Sequence, residues 1–209
     1  MFVHAGCRIG WITIKETRCL QMKRIIVGIS GATGAIFGIR MLEVLKELDV
    51  ETHLVMSKWA ETTIALETEY SVDEVKKLAS VVHHPTNQAA SISSGSFRVD
   101  GMVIAPCSMK TLASIRIGYA EGLLGRAADV ILKERKKLVL LTRETPFSDI
   151  HLENMLALSR MGAVILPPVP AFYNKPLTID DIVNHIVART LDQFEIDNHL
   201  TKRWKDPHQ

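Results

Sequence analysis

From residue 25 onward, short apolar runs alternate with stretches whose apolar positions recur every three to four residues. The runs at 25–29, 52–56, 101–105, 137–142 and 163–166 predict strands. Between them, Phe37, Met41, Leu45 and Leu48 mark one helix face, and Val75, Leu78 and Val82 a second. A further helix is predicted over 121–136. In the last one, Ile182, Val183, Ile186, Val187, Leu191 and Phe194 form an apolar stripe that must dock on the rest of the fold. Ser71-x-x-Glu74 and Thr178-x-x-Asp181 have the form of capping boxes, in which a hydroxyl and a carboxylate satisfy free amides at a helix start. Strand alternating with helix predicts an α/β domain whose mostly parallel sheet is covered by helices.

Residues 1–21 break this pattern. They hold no sustained apolar run, and Arg8, Lys15, Glu16 and Arg18 interrupt them, so the apolar core of a signal peptide is missing. They are read as an extension outside the fold: a tail, a start-site artefact with Met22 as the start, or a weak targeting peptide. Residues 22–209 are read as one domain.

Composition narrows the class. The chain has 209 residues, 47% hydrophobic and 23% charged, enough for one full core. Lys plus Arg number 25 against 23 Asp plus Glu, so the basic excess expected of a nucleic-acid binder is absent. No apolar stretch approaches a membrane span. Cys7, Cys19 and Cys107 offer no CxxC pair, which argues against a disulfide framework and for a reducing cytoplasm. His53, His83, His84, His151, His185 and His199 accompany no HExxH motif, and no metal is expected.

In an open α/β sheet, ligands bind beyond the carboxyl ends of the strands, so the segments after each strand carry the candidate chemistry. Gly28, Gly31 and Gly34 allow a tight turn whose amides and helix dipole would face an anion, or serve packing alone. Ile29 stands where a dinucleotide fingerprint needs glycine, and no P-loop lysine follows. Ser108 to Thr111 offer two hydroxyls and Lys110 to a phosphate or a flavin edge, or Ser108 is a plain helix cap. Cys107 reads as a small buried hydrophobe rather than a nucleophile. Arg126 and Lys133, seven apart, share a helix face and could meet one phosphate, although Asp129 and Lys133 also fit a surface pair. Arg189 is a ligand or a snorkelling side chain. Arg143-Glu144 sets a cation beside a carboxylate at the sheet's edge, suited to a phosphate and an acid–base step or to a loop ion pair. Tyr173 follows Pro167, Pro168 and Pro170, which restrict its loop and present its hydroxyl at little entropic cost, or it is a simple packed aromatic.

Gly31-Ala32-Thr33-Gly34, Ser57-Lys58, Pro106 to Thr111, Arg126 to Glu134, Arg143-Glu144-Thr145-Pro146, His151 to Met155 and Pro167 to Tyr173 together resemble the flavin prenyltransferases, the UbiX family, including small subunits associated with phenolic-acid decarboxylases. The resemblance runs from Met22 to about Trp204. It implies a flavodoxin-like or Rossmann-like three-layer αβα subunit in a large homo-oligomer. It further implies transfer of a dimethylallyl group from dimethylallyl phosphate to reduced FMN, the prenylated FMN going to a UbiD-type decarboxylase. Residue by residue, it implies that Gly31, Ala32, Thr33, Ser57, Ser108, Met109, Lys110, Thr111 and Arg143 hold FMN. Tyr173, Arg189, Lys133 and Arg126 would hold the prenyl phosphate, some from neighbouring subunits. Glu144 would handle the proton, Trp204 would face the allylic cation, and Thr33 replaces the serine of many members. The rival expectations are a non-catalytic flavin-carrying subunit of a hydroxyarylic-acid decarboxylase and an FMN-dependent cysteine-type decarboxylase.

Overall fold

A computed structural model of the chain describes residues 22–204; the expectations for residues 1–21, Cys7 and Cys19 lie outside the described residues. Strands β1 (Arg24–Ile29), β2 (Glu51–Met56), β3 (Val81–His83), β4 (Gly101–Cys107), β5 (Lys137–Thr142) and β6 (Val164–Ile165) form one sheet in the order β3-β2-β1-β4-β5-β6. Every pairing is parallel. This is the doubly wound order, and without the short edge strand β3 the other five follow the flavodoxin-like order. The strand order reverses between β1 and β4, which opens the crevice where such folds bind ligands.

Alternation along the strands builds the two outer layers. Ile25, Val27 and Ile29 face α1 (Ala35–Glu47), α2 (Lys58–Glu67), α3 (Val72–Leu78) and α7 (Ile179–Asp192). Ile26, Met102 and Ile104 face α4 (Met109–Arg116), α5 (Leu123–Lys133) and α6 (Asp149–Arg160). The final helix docks as its stripe requires, with Val183, Ile186, Val187, Leu191 and Phe194 buried in the first cluster. Gly28 is a packing glycine: a Cβ there would stand 2.5 Å from Leu124 Cδ1 of α5.

Both predicted capping boxes form, at Ser71 and Thr178, and a third joins Ser148 to His151. Three readings need correction. Val82 lies on β3 and not on a helix face, because α3 ends at Leu78 with Ala79 extended, and Val81-Val82-His83 pair with β2. Leu48 is the C-cap of α1 and 40% exposed, since its helix has already ended and turns away from the core. The helix expected over 121–136 is shorter, because Gly122 is its N-cap and Arg135 takes a positive φ of 56° beyond its end.

Candidate active site at the carboxyl edge of the sheet

Ser30 ties the loops on the two sides of the switch point together. Its Oγ donates to Pro106 O at 2.8 Å and accepts from Ser108 N at 2.8 Å, and the side chain is buried. Ser108 caps α4, its Oγ accepting from Thr111 N at 3.2 Å and donating to Thr111 Oγ1 at 3.0 Å. Ser57 caps α2 in the same way, accepting from Ala60 N at 3.1 Å. Two predicted flavin ligands thus serve as helix caps in this chain, which fixes their positions at helix starts where anions are favoured.

A cleft of about 270 Å³ opens among Gly31, Ser57, Ser108, Lys110 and Thr111, with Trp59 on one wall and the start of α5, Gly122 to Gly125, on the other. It brings together five of the predicted FMN residues. Ala32, Thr33, Met109 and Arg143 are not among the residues lining it. Gly31 is required by close approach, because a Cβ would lie 2.3 Å from Trp59 Cβ. Two larger hollows lie elsewhere. One, of about 610 Å³, has Arg24, Glu51, Arg98 and Lys136 in its walls, and another, of about 530 Å³, runs between 174–177 and 199–202. Of these three, the smaller cleft is the better candidate because it sits at the switch point with hydroxyl and ammonium donors around it.

The glycine turn does not present free amides throughout, as the spacing suggested. Gly34 N donates to Glu67 Oε2 at 2.7 Å, and Ala32 N donates to Ser30 O at 2.9 Å. Glu67, at the end of α2, therefore brings a carboxylate to the start of α1 beside the exposed Thr33. Neither its spacing nor its type marked it in the sequence.

At the next strand end, Arg143 N donates to Cys107 O, continuing the β4–β5 ladder, so Arg143 and Glu144 stand beside the Ser108 loop. The pair is half-buried, with 3.9 Å between Arg143 Nη1 and Glu144 Oε1. The Thr142 hydroxyl before them is buried without a hydrogen-bond partner. Burial pushes the Cys107 thiol up to about 12, so it stays protonated and is no nucleophile.

The prenyl-phosphate candidates fall into two places. On one side, Tyr173 packs edge-to-face on Trp204 at 5.2 Å and on His185 at 5.7 Å. Arg189, one turn beyond His185 on α7, pairs with Asp192 at 2.7 Å, and Asp192 also meets Arg203 at 2.8 Å. Burial opposes the Asp192 charge, but the hydrogen bond and charge of Arg203, with Arg189, hold its carboxyl below the usual range. His185 was not singled out as a site residue by its sequence context, because a histidine in an apolar stripe looks like packing.

On the other side stand Arg126 and Lys133. Arg126 donates to Ser93 O at 3.2 Å and pairs with Asp129 at 2.7 Å, while Lys133 pairs with Glu134 beside Gly95. The expected Asp129–Lys133 surface pair is not the pairing found. α5 starts at the cleft and ends near the opposite edge of the sheet, shortly before β5 begins at Lys137. At 1.5 Å per residue its ten steps carry Lys133 roughly 15 Å from the cleft wall. Lys133 pairs there with Glu134, whereas Tyr173 packs on His185 and Trp204. Among the described residues, no cluster of His, Cys, Asp and Glu has the form of a metal site, and no helix is long and apolar enough to cross a membrane.

The model of the Flavoprotein family matches residues 13–191. A probable UbiX-like flavin prenyltransferase of Streptomyces sp. (strain D7) is 65% identical over 182 residues, 87% of this chain and 91% of that protein. A dodecameric FMN-dependent UbiX-like decarboxylase from Escherichia coli O157:H7 has a solved structure that matches with a TM-score of 0.86. Its identity is 64%, over 88% of this chain and 100% of its own. AnUbiX (PadA1), solved in complex with FMN and dimethylallyl pyrophosphate, matches with a TM-score of 0.88 at 55% identity, over 89% of this chain and 99% of its own. The cysteine decarboxylase TvaF, at 15% identity and a TM-score of 0.60, shares the fold alone. At 65% identity to such a relative over 87% of its length, the chain belongs to the UbiX-like flavin prenyltransferases.

Proposed function

We propose that this chain transfers a dimethylallyl group from dimethylallyl phosphate to reduced FMN, alkylating N5 and closing a ring at C6. The observation that carries the reading is the convergence of Gly31, Ser57, Ser108, Lys110 and Thr111 on one cleft at the switch point, in a chain 55% identical to a protein solved with FMN and a prenyl pyrophosphate.

The residues fit a flavin mononucleotide. Two capped helix starts and Lys110 suit its phosphate and polar ring edge, and the flat wall of Trp59 suits a planar ring system. The orphaned Thr142 hydroxyl beside Arg143 is a spare donor at the same edge. A single-chain cleft of about 270 Å³ sits just under the common range for small-molecule sites of about 300–1,000 Å³, which suits a site whose walls are completed by neighbours. Ala32, Thr33, Met109 and Arg143 join the FMN set on this reading. The flavin, when bound, supplies the nucleophilic nitrogen and the ring carbon that take the prenyl group.

The chain's own residues supply the rest. Tyr173 and Arg189 hold the phosphate, with Arg126 and Lys133 arriving from a neighbouring copy. As the carbon–oxygen bond breaks, these donors stabilise the charge that develops on the departing phosphate. Trp204 offers an aromatic face to the allylic cation. Glu144 handles the protons of ring closure, giving the prenyl alkene the equivalent of the proton that the ring carbon loses. The product goes to a UbiD-type decarboxylase, in quinone synthesis or phenolic-acid decarboxylation, and the enzyme works in the cytoplasm as a large homo-oligomer like its dodecameric relative.

Anaerobic incubation with FMN, a reductant and dimethylallyl phosphate or pyrophosphate, followed by mass spectrometry of the extracted flavin, tests the reading. Flavin heavier by one dimethylallyl unit is expected. Unmodified FMN that stays tightly bound with both donors would instead make the chain a flavin carrier.

A further inference from the structure

Tyr173 lies at 48% exposure on a loop that has no helix or strand of its own, yet its proposed task is to hold a phosphate oxygen at a defined place. Something else must fix it. Next in the chain, Asn174 donates from Nδ2 to Thr201 Oγ1 at 3.1 Å, across 27 residues. The same hydroxyl lies 3.3 Å from His185 Nδ1. One hydroxyl can accept from one neighbour and donate to another, so Thr201 bridges the Tyr173 loop to α7. The His185 ring meets Tyr173 edge-to-face and is buried. Burial, and then the charge of Arg189 one turn away, lower the affinity of His185 for a proton. With the ring proton on Nε2, Nδ1 accepts from the Thr201 hydroxyl, which itself receives Asn174.

We propose that His185 and Thr201 are positioning residues for Tyr173, setting its ring beside Arg189 so that the hydroxyl and the guanidinium meet the same phosphate. The inference rests on the reading of Tyr173 as a phosphate ligand. It gives α7 a double task. Arg189 binds, and His185, four residues before it on the same face, aims the partner group. Asp192 completes the arrangement by holding both Arg189 and Arg203, so the C-terminal segment that carries Thr201 is pinned at two points.

The test compares Thr201→Val, Thr201→Ser, His185→Phe, Tyr173→Phe and the double variant Thr201→Val/Tyr173→Phe in the assembled enzyme, with dimethylallyl phosphate as the varied substrate. His185→Phe keeps an aromatic edge and loses the acceptor. Thr201→Val is expected to raise KM for dimethylallyl phosphate by about two- to tenfold, the worth of one net hydrogen bond, with FMN affinity unchanged. Thr201→Ser should restore the parent KM, and the double variant should be no worse than Tyr173→Phe, because positioning has no value once the positioned hydroxyl is gone. If Tyr173→Phe raises KM while Thr201→Val and His185→Phe leave it unchanged, or if the double variant is additive, the positioning role is overturned and Tyr173 keeps its task. If Tyr173→Phe itself leaves KM unchanged, the reading of Tyr173 fails and takes the inference with it. Should one of the two single variants not assemble, the other carries the comparison.

Discussion

Ser30→Ala removes the tie across the switch point. The serine hydroxyl makes two hydrogen bonds of 2.8 Å with no solvent exposure to speak of. Losing them removes about 1 kcal/mol of net bonding and leaves the Ser108 amide without its acceptor, which adds roughly 1–3 kcal/mol. Pro106 O retains the Ser30 amide at 3.2 Å, so the acceptor side is not orphaned. The sum is about 2–4 kcal/mol, and at about 2–4 °C per kcal/mol for a chain of this size it lowers Tm by roughly 4–16 °C. Because Ser108 caps α4 and borders the cleft, FMN affinity should fall as well. Thr142→Val is the control: it removes a buried hydroxyl that has no partner and is expected to be neutral or stabilising. Both variants are compared with the parent at one protein concentration, since assembly makes Tm depend on it. A Ser30→Ala protein that melts within a degree of the parent would refute the reasoning.

Four further outcomes follow from the geometry. Glu144→Gln should retain FMN and yield flavin prenylated at N5 but not closed at C6, read from the absorbance spectrum of the extracted flavin because ring closure leaves the mass unchanged, and Lys133→Ala should weaken binding of dimethylallyl phosphate; a closed ring in the first, or unchanged affinity in the second, would return each residue to a surface ion pair. Gly31→Ala forces a methyl into Trp59, and should reduce FMN retention on gel filtration by moving the start of α2. Burial holds His83 and His185 below their ordinary value of 6.5, so the unfolded chain binds these protons more tightly. Their contribution to stability is full above about pH 6.5 and is lost as pH falls below it, and denaturant midpoints at about pH 7.5 and about pH 5.5 measure the loss. Equal midpoints would contradict the burial of His185 and the partial burial of His83.

The layers of the fold were legible because buried parallel strands and docked helices write strong periodicities. Ile25 to Ile29 and the stripe from Ile182 to Phe194 could hardly be read otherwise. Val82 was misread because α3 stops at Leu78 and β3 follows after two residues, so a helical spacing ran across the boundary. At the site, residues whose type announces chemistry, such as Arg143 and Glu144, were visible after their strand. Those whose role depends on a partner far along the chain were not. Glu67 matters because it reaches Gly34, Ser30 because it reaches Ser108, and His185 because it reaches Thr201. The same holds for the occupation of Gly34 N, which spacing alone left open to an anion.

The course of α5 has a consequence for how such an enzyme behaves in a mixture. Its first turn borders the cleft of its own chain, and its last residue, Lys133, lies at the far end of the helix. If Lys133 serves a phosphate held by Tyr173 of another copy, each site is heritably shared between two polypeptides. Two inactive variants, one lacking Lys133 and the other lacking Tyr173, would then recover part of the activity when co-assembled, because some sites would draw both intact groups. By the same logic, a single defective subunit would silence a site on its neighbour.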